Sequence, residues 1–183
     1  MDLVNFISIR LQEGLLIMLK IREITHADNA DVKKIIQDSL KTLGLAIKGT
    51  AYFDPQLGQL YEFYRDLENA QYWVVELAGK IVGGIGIAPF NQELGICELQ
   101  KLYLVPAVQG LGISKKLMET ALTFARSRYT SCYLETTHNL KAACNLYEKF
   151  GFKLLTAPIA GSAHCAMDAW YLKSLRSPSD SNF

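Results

Sequence analysis

The chain carries almost no net charge: 19 Lys and Arg against 18 Asp and Glu leave +1 over 183 residues. With acids and bases interspersed, there is no basic stripe to follow a nucleic-acid backbone and no acidic tail, so nucleic acid is not an expected partner. The four cysteines, Cys97, Cys132, Cys144 and Cys165, contain no CxxC pair. That argues against a zinc site or a disulfide framework and favours buried, reduced thiols, hence a reducing compartment, the cytoplasm. His26, His138 and His164 show no metal-ligand spacing, and no metal is expected.

Long apolar runs free of charge are missing as well. The N-terminal MDLVNFISIRLQEGLLIML is interrupted by Asp2, Arg10 and Glu13, has no basic leader and is followed by no small-residue cleavage site. It reads as neither a membrane span nor a signal, and no membrane partner is expected. The first convincing strand, LKIREIT, starts just after Met18, so Met18 is the expected natural start and residues 1–17 an upstream extension. No repeat, low-complexity tract or linker divides the remainder of the chain. Residues 18–175 read as one domain long enough to bury a core, and 176–183, with SPSDSNF, as a disordered tail.

Periodicity supplies the elements. KIREIT alternates as a half-buried strand, and Thr25 caps a helix whose Val32, Ile35, Ile36 and Leu40 keep helical spacing until Gly44. Residues 45–70, rich in Tyr and Phe around a Pro and glycines, read as a loop and one short helix. QYWVVELAGKIVGGIGIAP reads as a hairpin turning at Ala78, Gly79 and Lys80, with GICELQKLYLV as a further strand. A helix over 111–126, the strand SCYLETT, the helix LKAACNLYEKF ended by Gly151, and a closing hairpin complete a mixed α/β (α+β) order.

The stretch LYLVPAVQGLGISKKL carries the first chemical signal. A strand that runs through a tight loop with Gly110 and Gly112 into a helix aims unpaired backbone N–H groups and the positive end of the helix dipole at one spot, which suits an anion, phosphate above all. Glycine permits dihedrals that other residues disfavour and leaves the backbone accessible. Neither GxxxxGK[ST] nor a full GxGxxG after a first strand occurs, so the ATP, GTP and NAD readings drop.

QGLGIS, residues 109–114, preceded by LYLVP and followed by LYEKFGF at 146–152, resembles the acetyl-coenzyme A signature of the GNAT superfamily of N-acetyltransferases. The resemblance spans about Met18 to Leu172. It implies a mixed, mostly antiparallel sheet of about six to seven strands flanked by about four helices. It also implies acetyl-CoA as cosubstrate. Gln109, Gly110, Leu111, Gly112, Ile113 and Ser114 would then cradle the pyrophosphate, and the backbone of Leu102, Tyr103 and Leu104 would pair with the pantetheine arm. Two positions depart from the pattern. Ser114 replaces the usual Gly or Ala, and Leu140 stands where many members carry a coenzyme-contacting Asn, leaving neighbouring Asn139 as the candidate contact.

Acetyl transfer to an amine needs a base, since an alkylamine is mostly protonated at neutral pH, and a donor for the departing thiolate. Strand alternation puts Glu98 on the face of Gln100, Leu102 and Leu104, and the resemblance gives it the role of general base. The resemblance likewise makes Tyr147 the hydrogen-bond donor to the coenzyme sulfur. Tyr52, Phe53, Tyr64 and His164 are the acceptor-site candidates.

The implied activity is direct acetyl transfer in a ternary complex to an amine of a small molecule or peptide. The rival reading is a non-catalytic acyl-CoA-binding sensor or scaffold. Family analogy favours a homodimer.

Overall fold

The computed structural model describes residues 5–10, 16–162 and 165–176. His164 and the expected tail beyond Arg176 lie outside the described residues. In chain order the elements are β1 (Asn5–Arg10), β2 (Leu16–Glu23), α1 (Asn29–Thr42), α2 (Leu60–Asp66), β3 (Gln71–Leu77), β4 (Lys80–Asn91), β5 (Ile96–Leu104), α3 (Ile113–Arg126), β6 (Ser131–Thr136), α4 (Lys141–Lys149), β7 (Lys153–Leu154) and β8 (Ala169–Ser174). One sheet runs β1-β2-β3-β4-β5-β6-β8-β7. Its eight strands exceed the expected six or seven because Asn5–Arg10, ahead of Met18, pair antiparallel with β2 and lengthen one edge.

Local chemistry explains the elements. Ahead of α1, the Asp28 carboxylate accepts from the Thr25 backbone N–H at 2.7 Å and from its hydroxyl at 2.8 Å, and Arg22 grips the same carboxylate at 2.7 and 2.8 Å. The β3–β4 hairpin turns on Ala78 and Gly79 with φ of 48° and 76°. Two successive positive φ angles give the mirror-image turn whose twist matches that of paired strands.

The sheet has a core on each face. Ile113, Leu117, Met118, Ala121, Leu122 and Ala125 of α3 pack with Ile85, Ile87, Cys97 and Leu99 on one side. On the other, Val32, Ile36 and Leu40 of α1 and Leu60 and Tyr64 of α2 pack with Tyr72, Val74 and Ala88. Gly86 matters to the second core, because a Cβ built there would collide with the Tyr64 hydroxyl. The missing side chain lets Tyr64 lie down on the sheet beside Gln100, the cross-strand partner of Gly86.

Every neighbouring pair is antiparallel except β5 and β6, whose parallel pairing covers only Ile96, Cys97 and Glu98 against Ser131, Cys132 and Tyr133. Within β5 the register against β4 slips between Gly84 and Gly86, and Lys101 takes φ 53°. That is a β-bulge, and it corrects the expected alternation. Leu99, Leu102 and Leu104 belong to the α3 side, whereas Tyr103 belongs to the α2 side. Glu98 and Gln100, paired with Ala88 and Gly86, face α1 and α2, opposite to Leu102 and Leu104.

Candidate active site

Beyond Glu98 and Tyr133 the ladder between β5 and β6 stops. The strands part, and the wedge between them is a cleft of about 820 Å³. Its walls come from six places: β5 from Glu98 onward, the loop and first residues of α3, the start and inner face of α4, the end of β6, the segment from the end of α1 to Ala51, and Met167 in the loop between β7 and β8.

On one side lies the glycine loop. After a 3-10 turn at Pro106–Val108, Gln109 folds back and its side-chain amide donates to the Leu104 carbonyl at 2.9 Å, tying loop to strand. Gly110 and Gly112 take φ of 76° and 77°. A Cβ built on either meets no atom within 4 Å. The glycines thus satisfy the left-handed backbone and leave open space in front of the first turn of α3, whose N–H groups have no partner within the helix. An open, N–H-lined cradle continuous with the cleft fits a pyrophosphate.

On the other side the walls close over one another. The Ala166 N–H donates to the Gly49 carbonyl at 3.3 Å, joining the loop between β7 and β8 to the loop after α1. Thr50 donates its hydroxyl to the carbonyls of Leu45 and Ile47, at 2.9 and 2.8 Å, which holds that loop in shape. Thr50 and Ala51 then face the cleft.

Glu98 lines the cleft at the point where the strands separate. Its Oε2 accepts from the Gln100 amide at 2.5 Å, and the Gln100 carbonyl accepts from the Tyr64 hydroxyl at 2.8 Å. Burial, and then the neighbouring Tyr72, Glu98 and Asp54, push the Tyr64 phenol well above its ordinary pKa, so it stays a donor. Tyr147, buried on the inner face of α4, lines the opposite wall beside Phe152 and Tyr171. Burial, and then the neighbouring Cys144, raise its phenol in the same direction.

A carboxylate, a neutral phenol and an anion cradle around one cleft can serve acyl transfer from a phosphorylated carrier. The comparisons agree. The model of the Acetyltransferase (GNAT) family matches residues 38–152.

The chain belongs to the GNAT acetyltransferase family.

An uncharacterized N-acetyltransferase, YjgM, of Escherichia coli (strain K12) is 41% identical over 157 residues, covering 84% of this chain and 93% of that one. An acetyltransferase of the GNAT family from Staphylococcus aureus Mu50 shares the fold with TM-score 0.74 at 20% identity, over 86% of this chain and 99% of that one. yncA from Salmonella typhimurium, solved with its cofactor acetyl-CoA, superposes with TM-score 0.67 at 20% identity, over 86% and 94%. As a GNAT member the chain is an acetyl-CoA-dependent N-acetyltransferase. Among the described residues no helix is long and apolar enough to cross a membrane.

Of the residues expected in this GNAT site, the cleft gathers Glu98, Leu102, Tyr103, Leu104, Gln109, Gly110, Ser114, Asn139 and Tyr147. Leu111, Gly112 and Ile113 do not line it, and Ile113 is buried in the α3 core. The acceptor candidates fare differently. Tyr64 is core, one hydrogen bond behind Gln100, and Tyr52 and Phe53 meet edge to face, ring centroids 4.9 Å apart, outside the cleft. Their neighbours Thr50 and Ala51 line it instead. Sequence reasoning missed Gln100 as the link to Tyr64, and missed Lys101, which lines the cleft with its amine 2.6 Å from Asp54 Oδ2.

Proposed function

We propose that this chain acetylates a primary amine of a small molecule or peptide by direct transfer, with acetyl-CoA and amine bound together, Glu98 as general base and Tyr147 as proton donor to the departing sulfur. The observation that carries the reading is the parting of β5 and β6, which brings Glu98, Tyr147 and the glycine loop around one cleft.

The backbone of Gln109–Ser114 would hold the pyrophosphate, the free edge of Leu102–Leu104 the pantetheine amides, and Asn139 a polar contact at the start of α4. Bound there, acetyl-CoA supplies an acyl group activated as a thioester. Glu98, oriented by Gln100, takes the proton from the ammonium or, through water, from the attacking nitrogen. Tyr147 keeps its proton at neutral pH because burial raises its pKa, so it can hydrogen-bond to the leaving sulfur. Among the described residues no cysteine lines the cleft, which favours direct transfer over an acyl-enzyme route.

Free-thiol release from acetyl-CoA tests this, run across amines, amino acids, polyamines, aminoglycosides and short peptides with coenzyme binding followed by thermal shift. Amine-dependent release is expected and names the acceptor class. Stabilisation by the coenzyme with no turnover on any amine would favour the non-catalytic acyl-CoA sensor.

A further inference from the structure

We propose that Lys101 is a positioning residue for acetyl transfer: its buried ion pair with Asp54 fixes the β5 bulge that sets Glu98 against the coenzyme edge, and seats the acceptor wall of the cleft. The proposal rests on the cleft being the transfer site.

A lysine at φ 53° occupies the left-handed region, which a side chain disfavours, so its surroundings must hold it there. Two contacts do so. The Tyr72 hydroxyl donates to the Lys101 carbonyl at 3.0 Å, and the Lys101 amine lies 2.6 Å from Asp54 Oδ2. The Lys101 side chain is 2% exposed and that of Asp54 13%. An ion pair so deeply buried is a weak source of net stability, but it discriminates sharply between the arrangement that satisfies it and any that does not.

What it fixes is the turning point of β5. Before Lys101, Glu98 and Gln100 face α1 and α2, whereas after it Leu102 and Leu104 face the α3 side. Asp54 belongs to the segment that has just supplied Thr50 and Ala51 to the cleft. One pair therefore ties the acceptor wall to the residue that separates the base from the coenzyme edge.

Two variants test this without relying on fold collapse. Lys101→Gly keeps φ 53° accessible while deleting the amine, and Asp54→Asn keeps the shape while deleting the charge. Kinetics would use the amine giving the highest wild-type turnover, alongside acetyl-CoA affinity by calorimetry and far-UV circular dichroism. Each variant is expected to lower kcat at least tenfold and raise the acceptor KM, with acetyl-CoA Kd within twofold and the spectrum unchanged. Wild-type kcat and acceptor KM in either variant would overturn the proposal, as would a loss of acetyl-CoA affinity as large as the loss of turnover. Absence of turnover in the wild type itself would overturn the transfer reading, a result distinguishable from activity that persists in both variants.

Discussion

Gln100 donates its side-chain amide to Glu98 Oε2 at 2.5 Å from two positions further along the same strand. Because its carbonyl is already committed to the Tyr64 hydroxyl, the amide cannot flip without losing both bonds. The Glu98 carboxylate is thus oriented from the α2 side of the sheet.

If Glu98 is the base proposed above, removing its charge should slow transfer where protonated amine dominates. Glu98→Gln is expected to lower kcat/KM at neutral pH by roughly two orders of magnitude. Part of the loss should return as pH rises toward the amine's own pKa, about 10 for an alkylamine. A pH–rate profile measures this, and a variant as active as wild type at pH 7 would exclude Glu98 from proton transfer.

Tyr64→Phe should act on the same chain one step back. It leaves the Gln100 carbonyl without its donor, with an expected stability loss of about 1–3 kcal/mol. Turnover should fall less than for Glu98→Gln, with little change in acetyl-CoA affinity. Urea unfolding and steady-state kinetics separate the two effects.

Tyr147→Phe should reduce kcat more than it alters acetyl-CoA KM. The reverse pattern would make Tyr147 a wall of the pocket. Its raised pKa has a further consequence for the fold, shared by buried Tyr64 and Tyr72 and half-buried Tyr103, all pushed upward first by desolvation. The folded state keeps these protons while the unfolded chain gives them up above about pH 10. The stability they contribute is therefore complete below that value and declines as pH rises through it. Denaturant midpoints measured from pH 8 to pH 11 should fall steeply only at the alkaline end.

Gly112→Ala separates backbone from ligand effects. Alanine at φ 77° costs about 1–2 kcal/mol, yet its methyl group meets no protein atom within 4 Å. The variant should fold with a modestly lower midpoint, and its affinity for coenzyme A should drop at least tenfold. Calorimetric titration showing wild-type affinity would take the pyrophosphate away from this loop.

Much of the fold is legible in local pattern. The Ala78–Gly79 turn, the amphipathic α3 and α4, and the Gly151 stop each announce themselves within a few residues. The glycine loop is legible too, since its requirement is a backbone angle tied to residue type. The bulge is not. ELQKLYL reads as unbroken alternation, and nothing local signals that a lysine will take a glycine's dihedrals. The side chains that contact it there, Asp54 and Tyr72, lie 47 and 29 positions earlier in the chain. Alternation therefore misassigns the face of Glu98 relative to Leu102 and Leu104. Tyr64 is misplaced for a related reason, because aromatic spacing does not distinguish a pocket wall from a core residue resting on Gly86.

The narrow joint between β5 and β6 bears on how the chain assembles. β1 to β5 are sequence neighbours joined antiparallel in order, and β6, β8 and β7 form a second antiparallel leaf. Among the described residues three ladder pairs join the leaves, across the crossover that contains α3. The β3–β4 and β4–β5 hairpins close short loops, whereas β2–β3 closes across residues 24–70 and the β5–β6 seam across residues 105–130. Held by so few pairs, the seam should open early, with amides of Ile96–Glu98 and Ser131–Tyr133 exchanging before those deep in either leaf. The candidate catalytic cleft opens directly from the seam where the two leaves meet.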